Sequence, residues 1–420
     1  GIHREYPMLK MKLLDMATQT EPATIADEFL REIDSVASEL EVGFHGGQRF
    51  VVRAETVSLS RADHRELPRG SVWILTGGGR GVTAAVAREL GQQFGLKLHL
   101  IGTSEPAGPD APWRNVDKSQ LKMLKRDLAL QARSEGRSPA DAWRQIEKAM
   151  ELDRNLQQFS ALGIDATYHA CDISDREAIA ALLKNIRSAD GPITGIIHGA
   201  GIEAACRFSR KQVETVQATI ASKCDGAARL IELTGQDELK YFVGFGSTSG
   251  RFGGLGQTDY SLASDLLAKM VDRLAGERAA CRAVCFHWPA WDEVGMAVRP
   301  ESKVALQRGG MAFMPVHEGV QHLVNELTAT AAEREVLILD KPDFLDTDGT
   351  MTRTSPAADV QRFRSESGDR LKSAPAAQQV IVESTVDKSI VDCSSMPLIE
   401  SIERLHDAGQ FEAQILLDAA

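Results

Sequence analysis

From Ser71 onward the chain alternates short apolar runs with amphipathic stretches, and this alternation limits the possible folds more than any other feature. The apolar runs fall at 72–75, 98–101, 166–169, 193–198, 241–245, 284–288 and 336–339. Strands that are apolar throughout, separated by helices, call for a parallel sheet covered on both faces. The class is therefore α/β, a doubly wound parallel sheet of about seven strands. One connection is too long for a simple crossover: residues 104–162 intervene after the second strand. Within it Leu121, Leu124, Leu128, Ala132, Trp143, Ile146, Met150, Leu152, Leu156 and Phe159 recur at helical spacing. The pattern predicts a helical insertion rather than a structureless loop. Its Lys- and Arg-rich stretch, 118–144, reads as a solvated helix face.

Ahead of the sheet, Thr24 with Asp27 reads as a helix cap. Ile25, Phe29, Ile33, Val36 and Leu40 follow as one apolar face that should pack on a neighbour. A hairpin is expected from residues 42–44, a His-Gly-Gly turn at 45–47, and residues 49–52. The predicted organisation is residues 1–68 as this helix, hairpin and linker, 69–345 as the main domain, 346–395 as a flexible linker, and 396–420 as a following segment. The last rests on an apolar run at the very end of the sequence, which reads as a cut rather than a natural terminus.

The net charge of −11 over 420 residues argues against a general nucleic-acid partner. No segment approaches the ~20 apolar residues of a bilayer span, and no signal peptide opens the chain. Six scattered cysteines without a CxxC pair fit reduced thiols and a cytoplasmic location, and no metal site is expected.

The chemistry-bearing residues lie at the ends of the predicted strands. Thr76, Gly77, Gly78, Gly79, Arg80, Gly81, Val82 and Thr83 follow the first strand and open a helix. Glycines there let the backbone turn sharply and approach a pyrophosphate, and the helix N-terminus supplies free N–H donors. This makes the sheet Rossmann-type. At the end of the second strand, Thr103 and Ser104 are neutral where an NAD enzyme usually carries an acid. With Arg80 in the loop, this points to NADPH. Asp172, ahead of Ile173 after the third strand, suits either an adenine amino group or a helix cap. His198, Gly199, Ala200 and Gly201 after the fourth strand would let a cofactor pack closely. Ser247 ends the fifth strand, and Tyr260 follows thirteen residues later at a helix start. A phenol can protonate a developing alkoxide, but its ordinary pKa of ~10 calls for a nearby ammonium. A serine hydroxyl can share the oxyanion's charge.

Together TGGGRGVT at 76–83, HGAG at 198–201, SKCDGA at 222–227, GSTSGRFGGLGQTDY at 246–260 and HWPAW at 287–291 resemble the short-chain dehydrogenase/reductase superfamily. Within it they resemble the ketoreductase domains of modular polyketide and fatty-acid synthases. The RGVT loop, GRFG and the helical insertion are similar to the reductases of polyunsaturated fatty-acid and enediyne-type iterative synthases. The resemblance covers roughly residues 25–342. It implies that Tyr260 is the proton donor, Ser247 binds the carbonyl and Lys223 supplies the ammonium. It places Trp288 beside the cofactor and makes the helix and hairpin the tail of a truncated structural subdomain. Ser264 stands where these reductases usually carry asparagine, and Thr83 where the loop usually ends in glycine. The implied reaction is NADPH-dependent reduction of a β-ketoacyl thioester carried on an acyl carrier protein, in a synthase of the kind that dimerises. Residues 397–420 resemble the lead-in to a dehydratase domain. The competing readings are a catalytically silent reductase-like domain and a free-standing reductase.

Overall fold

The computed structural model describes residues 1–9, 11–17, 19–35, 39–56, 65–114, 116–298, 303–304, 312–329, 333–339 and 378–384. The linker expected at 346–395 lies outside the described residues except for 378–384, and the segment at 396–420 lies wholly outside them. Two compact units appear, Leu67–Ala200 and Gly1–Glu66 with Gly201–Ala420.

The N-terminal elements are α1 (Ile2–Glu5), β1 (Leu13–Met16), α2 (Pro22–Asp34), β2 (Glu41–His45) and β3 (Gln48–Thr56). The expected hairpin is present as β2 and β3, paired antiparallel from Val42↔Val51 to His45↔Gln48, with β1 parallel to β2. The expected cap at Thr24 is not. Helix α2 starts at Pro22, and Glu21 ahead of it makes no side-chain cap. Proline at this place has no N–H to satisfy, and its fixed φ suits a first turn. The expected burial of the helix is also reversed. Ile25, Phe29 and Ile33 are exposed while Glu28 and Glu32 are buried. The elements next to α2 present cations: Glu32 accepts from Lys12 and Arg49, and these charge-assisted bonds turn the acidic side inward.

In the unit Leu67–Ala200 the order of elements is β4 (Val72–Thr76), α3 (Gly81–Phe94), β5 (Lys97–Gly102), α4 (Lys118–Ser134), α5 (Pro139–Ala161), β6 (Ala166–Ala170), α6 (Arg176–Asp190) and β7 (Ile193–His198). The strands pair in parallel in the order β7-β4-β5-β6. Every residue of β4 is buried, as a strand covered on both faces requires. Trp73 is fully buried, and its indole fills the place that a side chain at Gly195 would take. The insertion is the expected helix pair. Asp117 and Gln120 form a capping box at the start of α4, and Ser138 with Pro139 opens α5.

The other unit continues with α7 (Val213–Ile220), α8 (Gly226–Leu233), β8 (Tyr241–Ser247), α9 (Thr248–Phe252), α10 (Thr258–Glu277), β9 (Arg282–Trp288), α11 (Val316–Thr328), β10 (Glu335–Leu339) and β11 (Gln378–Ser384). Strands β8, β9 and β10 are parallel. Strand β11 falls inside the stretch expected as a linker and pairs antiparallel with both β10 and β3. Its β-branched run Val380, Ile381, Val382 carries the strand propensity that a polar linker lacks. Ala263, Leu267, Val271 and Leu274 of α10 are buried at helical spacing. With four parallel strands in one unit and three in the other, the architecture is the expected Rossmann-type α/β fold. Among the described residues no helix is long and apolar enough to cross a membrane.

Candidate active site

The glycine-rich loop joins β4 to α3. Gly77 has φ +71°, and a Cβ there would lie 2.9 Å from the Gly199 carbonyl oxygen, so this turn admits only glycine. Thr76 Oγ1 lies 2.8 Å from His198 Nδ1 and accepts from the Ala200 N–H at 3.3 Å. These contacts join the loop to residues 198–200, so the structure brings two of the predicted cofactor-binding stretches together. A glycine cradle running into a helix N-terminus fits a dinucleotide pyrophosphate.

The insertion supplies contacts to this loop that the sequence reading missed. Glu151 Oε1 accepts from the Gly81 N–H at 2.9 Å, and Asn155 Nδ2 donates to the Gly79 carbonyl at 3.0 Å. Leu152 Cδ1 and the Tyr168 ring lie within 2.7 Å of where a Cβ on Gly79 would stand. Tyr168 donates to the Ser104 carbonyl at 2.7 Å, holding the segment after β5, where Thr103 is exposed. Glu151 and Asn155 are seventy or more residues from the loop, and no local motif marks them. Asp172 is exposed and its Oδ1 accepts from the Ser174 N–H, whereas Asp175 caps α6. Ile173 is buried.

In the other unit Lys223 occupies a π-type turn, Ala221–Asp225, between α7 and α8. Such widened turns are frequent at functional sites because they re-aim a side chain. Lys223 is buried and donates to the Phe245 carbonyl at 2.7 Å, two residues before Ser247. Its Nζ stands 5.1 Å from the centre of the Tyr260 ring, a cation–π distance. Burial pushes its ammonium pKa down to about 8, because a charge removed from water is disfavoured. The carbonyl end of β8 and the start of α10 are also joined by side chains: Ser247 Oγ lies 3.2 Å from Ser249 Oγ, which donates to Gln257 Oε1 at 2.8 Å. The α10 start is pinned by Asp259, which lies 2.7 Å from Lys211 with both side chains buried. Tyr260, Ser247 and Lys223 are thus carried by elements held to one another. Such a set can orient a carbonyl, stabilise an alkoxide and deliver a proton.

Ser264 lies one turn beyond Tyr260, on the same face of α10. Its Oγ is buried without a hydrogen-bond partner, and its Cβ packs 3.1 Å from where a side chain on Gly250 would begin. Ser264→Ala is expected to leave kcat within about threefold of wild type and stability within about 1 kcal/mol, since no protein hydrogen bond is lost. Steady-state kinetics and a thermal melt check both. Trp288 is buried in an aromatic cluster, stacked on Phe286 at 4.7 Å and edge-on to Phe245 and Trp291.

Behind Ser247 lies a buried charge network that was also missed. His287 Nδ1 lies 2.9 Å from the Ser247 carbonyl oxygen. Its Nε2 stands 2.7 Å from Glu335, near enough for charge contact though off the line of a hydrogen bond. Glu335 also binds Arg251 through two guanidinium nitrogens. Burial alone would raise the Glu335 pKa, but Arg251 and His287 reverse this and hold it well below the usual carboxylate range. That depression makes the pair's contribution complete above the ordinary carboxylate pKa and lost only in strong acid. Glu335→Gln is expected to destabilise the chain by about 3–5 kcal/mol at neutral pH, because Arg251 then loses its principal counter-charge in the interior. Urea unfolding measures it, and a loss near zero would show the network to be redundant. The sequence signal was present but faint: a glutamate and a histidine inside otherwise apolar strands.

The sequence pattern of the KR-domain family matches residues 71–293. The chain is 27% identical to one of the subunits that form the polyunsaturated fatty acid synthase of Thraustochytrium sp., over 347 residues, which are 77% of this chain and 12% of that protein. It is 26% identical to polyketide synthase PksL of Bacillus subtilis over 334 residues, 77% of this chain and 6% of that protein. The chain thus spans only a small part of either relative. Among solved structures it resembles an A-type ketoreductase from a modular polyketide synthase, with a TM-score of 0.60 and 26% identity over 78% of this chain and 60% of that one. An A1-type ketoreductase matches in fold with a TM-score of 0.64 at 23% identity, over 86% of this chain and 68% of that one.

Proposed function

Since the chain belongs to the KR-domain family, we propose that it reduces a β-ketoacyl thioester to the β-hydroxyacyl thioester with NADPH. The observation that carries this reading is the buried Lys223 ammonium over the Tyr260 ring, tied to the strand that ends in Ser247. In this reading Ser247 donates a hydrogen bond to the ketone oxygen and Tyr260 gives that oxygen its proton. Lys223 stabilises the phenolate left behind. When bound, the nicotinamide supplies the hydride. Gly77, Gly79 and Val82 would receive the pyrophosphate and Gly81, whose N–H goes to Glu151, would shape the turn, with Thr76, His198, Gly199 and Ala200 supporting it. Arg80 and the neutral Thr103 and Ser104 favour a 2′-phosphate. Asp172 and Ile173 would flank the adenine, and Trp288 would back the nicotinamide side. Ser264 is a helper at most.

The synthase relatives support a setting among neighbouring synthase domains. We place the substrate on an acyl carrier protein, with residues 69–345 as the reductase and a dehydratase as neighbour, in a dimeric cytoplasmic assembly. The test follows nicotinamide absorbance with a β-ketoacyl thioester and NADPH or NADH. Turnover with NADPH preferred is expected. No turnover of any such thioester by folded protein would overturn the reading.

A further inference from the structure

The connection 104–162 is longer than a crossover from β5 to β6 requires, and one face of α5 lands on the phosphate loop. Three contacts from residues 151–155 of this helix meet two glycines of the loop, Gly79 and Gly81. Glu151 takes the Gly81 N–H, Asn155 takes the Gly79 carbonyl, and the almost fully buried Leu152 fills the space beside Gly79. On its other side α5 is fastened by Arg114, which pairs with Asp153 and donates to the Ala107 carbonyl at 3.3 Å.

We propose that α5 is a working part of the dinucleotide site, with Glu151 and Asn155 as positioning residues that hold the phosphate loop in its binding form. The proposal rests on the dinucleotide reading above. A loop of consecutive glycines loses more conformational entropy on ordering than any other sequence, and a loop ordered in advance spares the ligand that cost. Gly81 sits at φ +61°, a left-handed conformation, and the Glu151 acceptor secures its N–H in that state. A carboxylate also suits the positive end of a helix, so α3 keeps its first N–H satisfied while the remaining N–H groups of its first turn serve the ligand.

The experiment titrates NADPH by fluorescence into wild type, Glu151→Ala, Glu151→Gln and Asn155→Ala, with a thermal melt of each. Glu151→Ala is expected to raise the NADPH Kd by about tenfold, as loss of a charge-assisted hydrogen bond would. Glu151→Gln keeps an acceptor and should restore binding to within about threefold. Asn155→Ala, which leaves Glu151 in place, should weaken binding in the same direction. At saturating NADPH, kcat and the thioester KM should stay near wild type, a split that general loosening of the fold would not produce. Equal or tighter NADPH binding by the folded Glu151→Ala and Asn155→Ala variants would overturn the proposal, as would failure of Glu151→Gln to rescue. Wild type that binds neither NADPH nor NADH would instead overturn the dinucleotide reading on which it stands.

Discussion

Tyr260→Phe is expected to lower turnover of a β-ketoacyl thioester by roughly 10²–10⁴-fold, the range for loss of a positioned proton donor. The substitution isolates that chemistry well. Phenylalanine keeps the ring that stands 5.1 Å from Lys223 Nζ, so packing and the cation–π contact persist. The backbone at residue 260 is fixed independently of the hydroxyl, because its N–H donates to Asp259 at 2.9 Å and Asp259 is paired with Lys211. NADPH affinity should therefore stay within about twofold, and the melting temperature within a few degrees. Steady-state kinetics, cofactor fluorescence and a thermal melt measured on one preparation separate these effects. If the phenylalanine variant keeps more than about a tenth of the activity, the proton comes from elsewhere and the role given to Tyr260 is wrong.

The parts of this molecule legible in its sequence are those written in local periodicity. All seven parallel strands lie where the runs placed them, and both helices of the insertion follow their apolar spacing. Six of the strands are largely buried and so carry a nearly continuous apolar signature, whereas β6 has no buried residue. Ser247, Tyr260, Lys223 and the glycine loop were legible for another reason: their chemistry is tied to strand ends and helix starts. What failed was set by tertiary partners. The apolar stripe of α2 predicted a buried face, yet Glu32 meets Lys12 and Arg49 and the stripe faces outward. Glu151 lies in the predicted helical insertion with no local motif to mark it, and only the fold sets it against Gly81. Arg251 and His287 were visible within motifs, but nothing in those motifs shows that Glu335 meets both from a distant strand, 84 residues beyond Arg251.

Lys223→Met should lower turnover by roughly 10²–10³-fold, because the phenol loses the charge that stabilises its anion. Methionine nearly matches the lysine stem in length and fills the same buried space, so no large cavity opens. It also removes an ammonium whose burial is costly, and stability should hold or rise despite the lost bond to the Phe245 carbonyl. The pH profile tells this apart from a packing effect. With the Lys223 pKa pushed down to about 8, the ammonium is charged below that pH and is lost as pH rises through it. Reduction needs the charged form, so wild-type kcat/KM should be level below pH 8 and fall on the alkaline side. The methionine variant has no such group and should show a low rate without that limb. An alkaline limb of the same position in Lys223→Met would assign the titration to another residue. A wild-type profile that stays level well above pH 8 would show that the Lys223 charge does not control the proton donor.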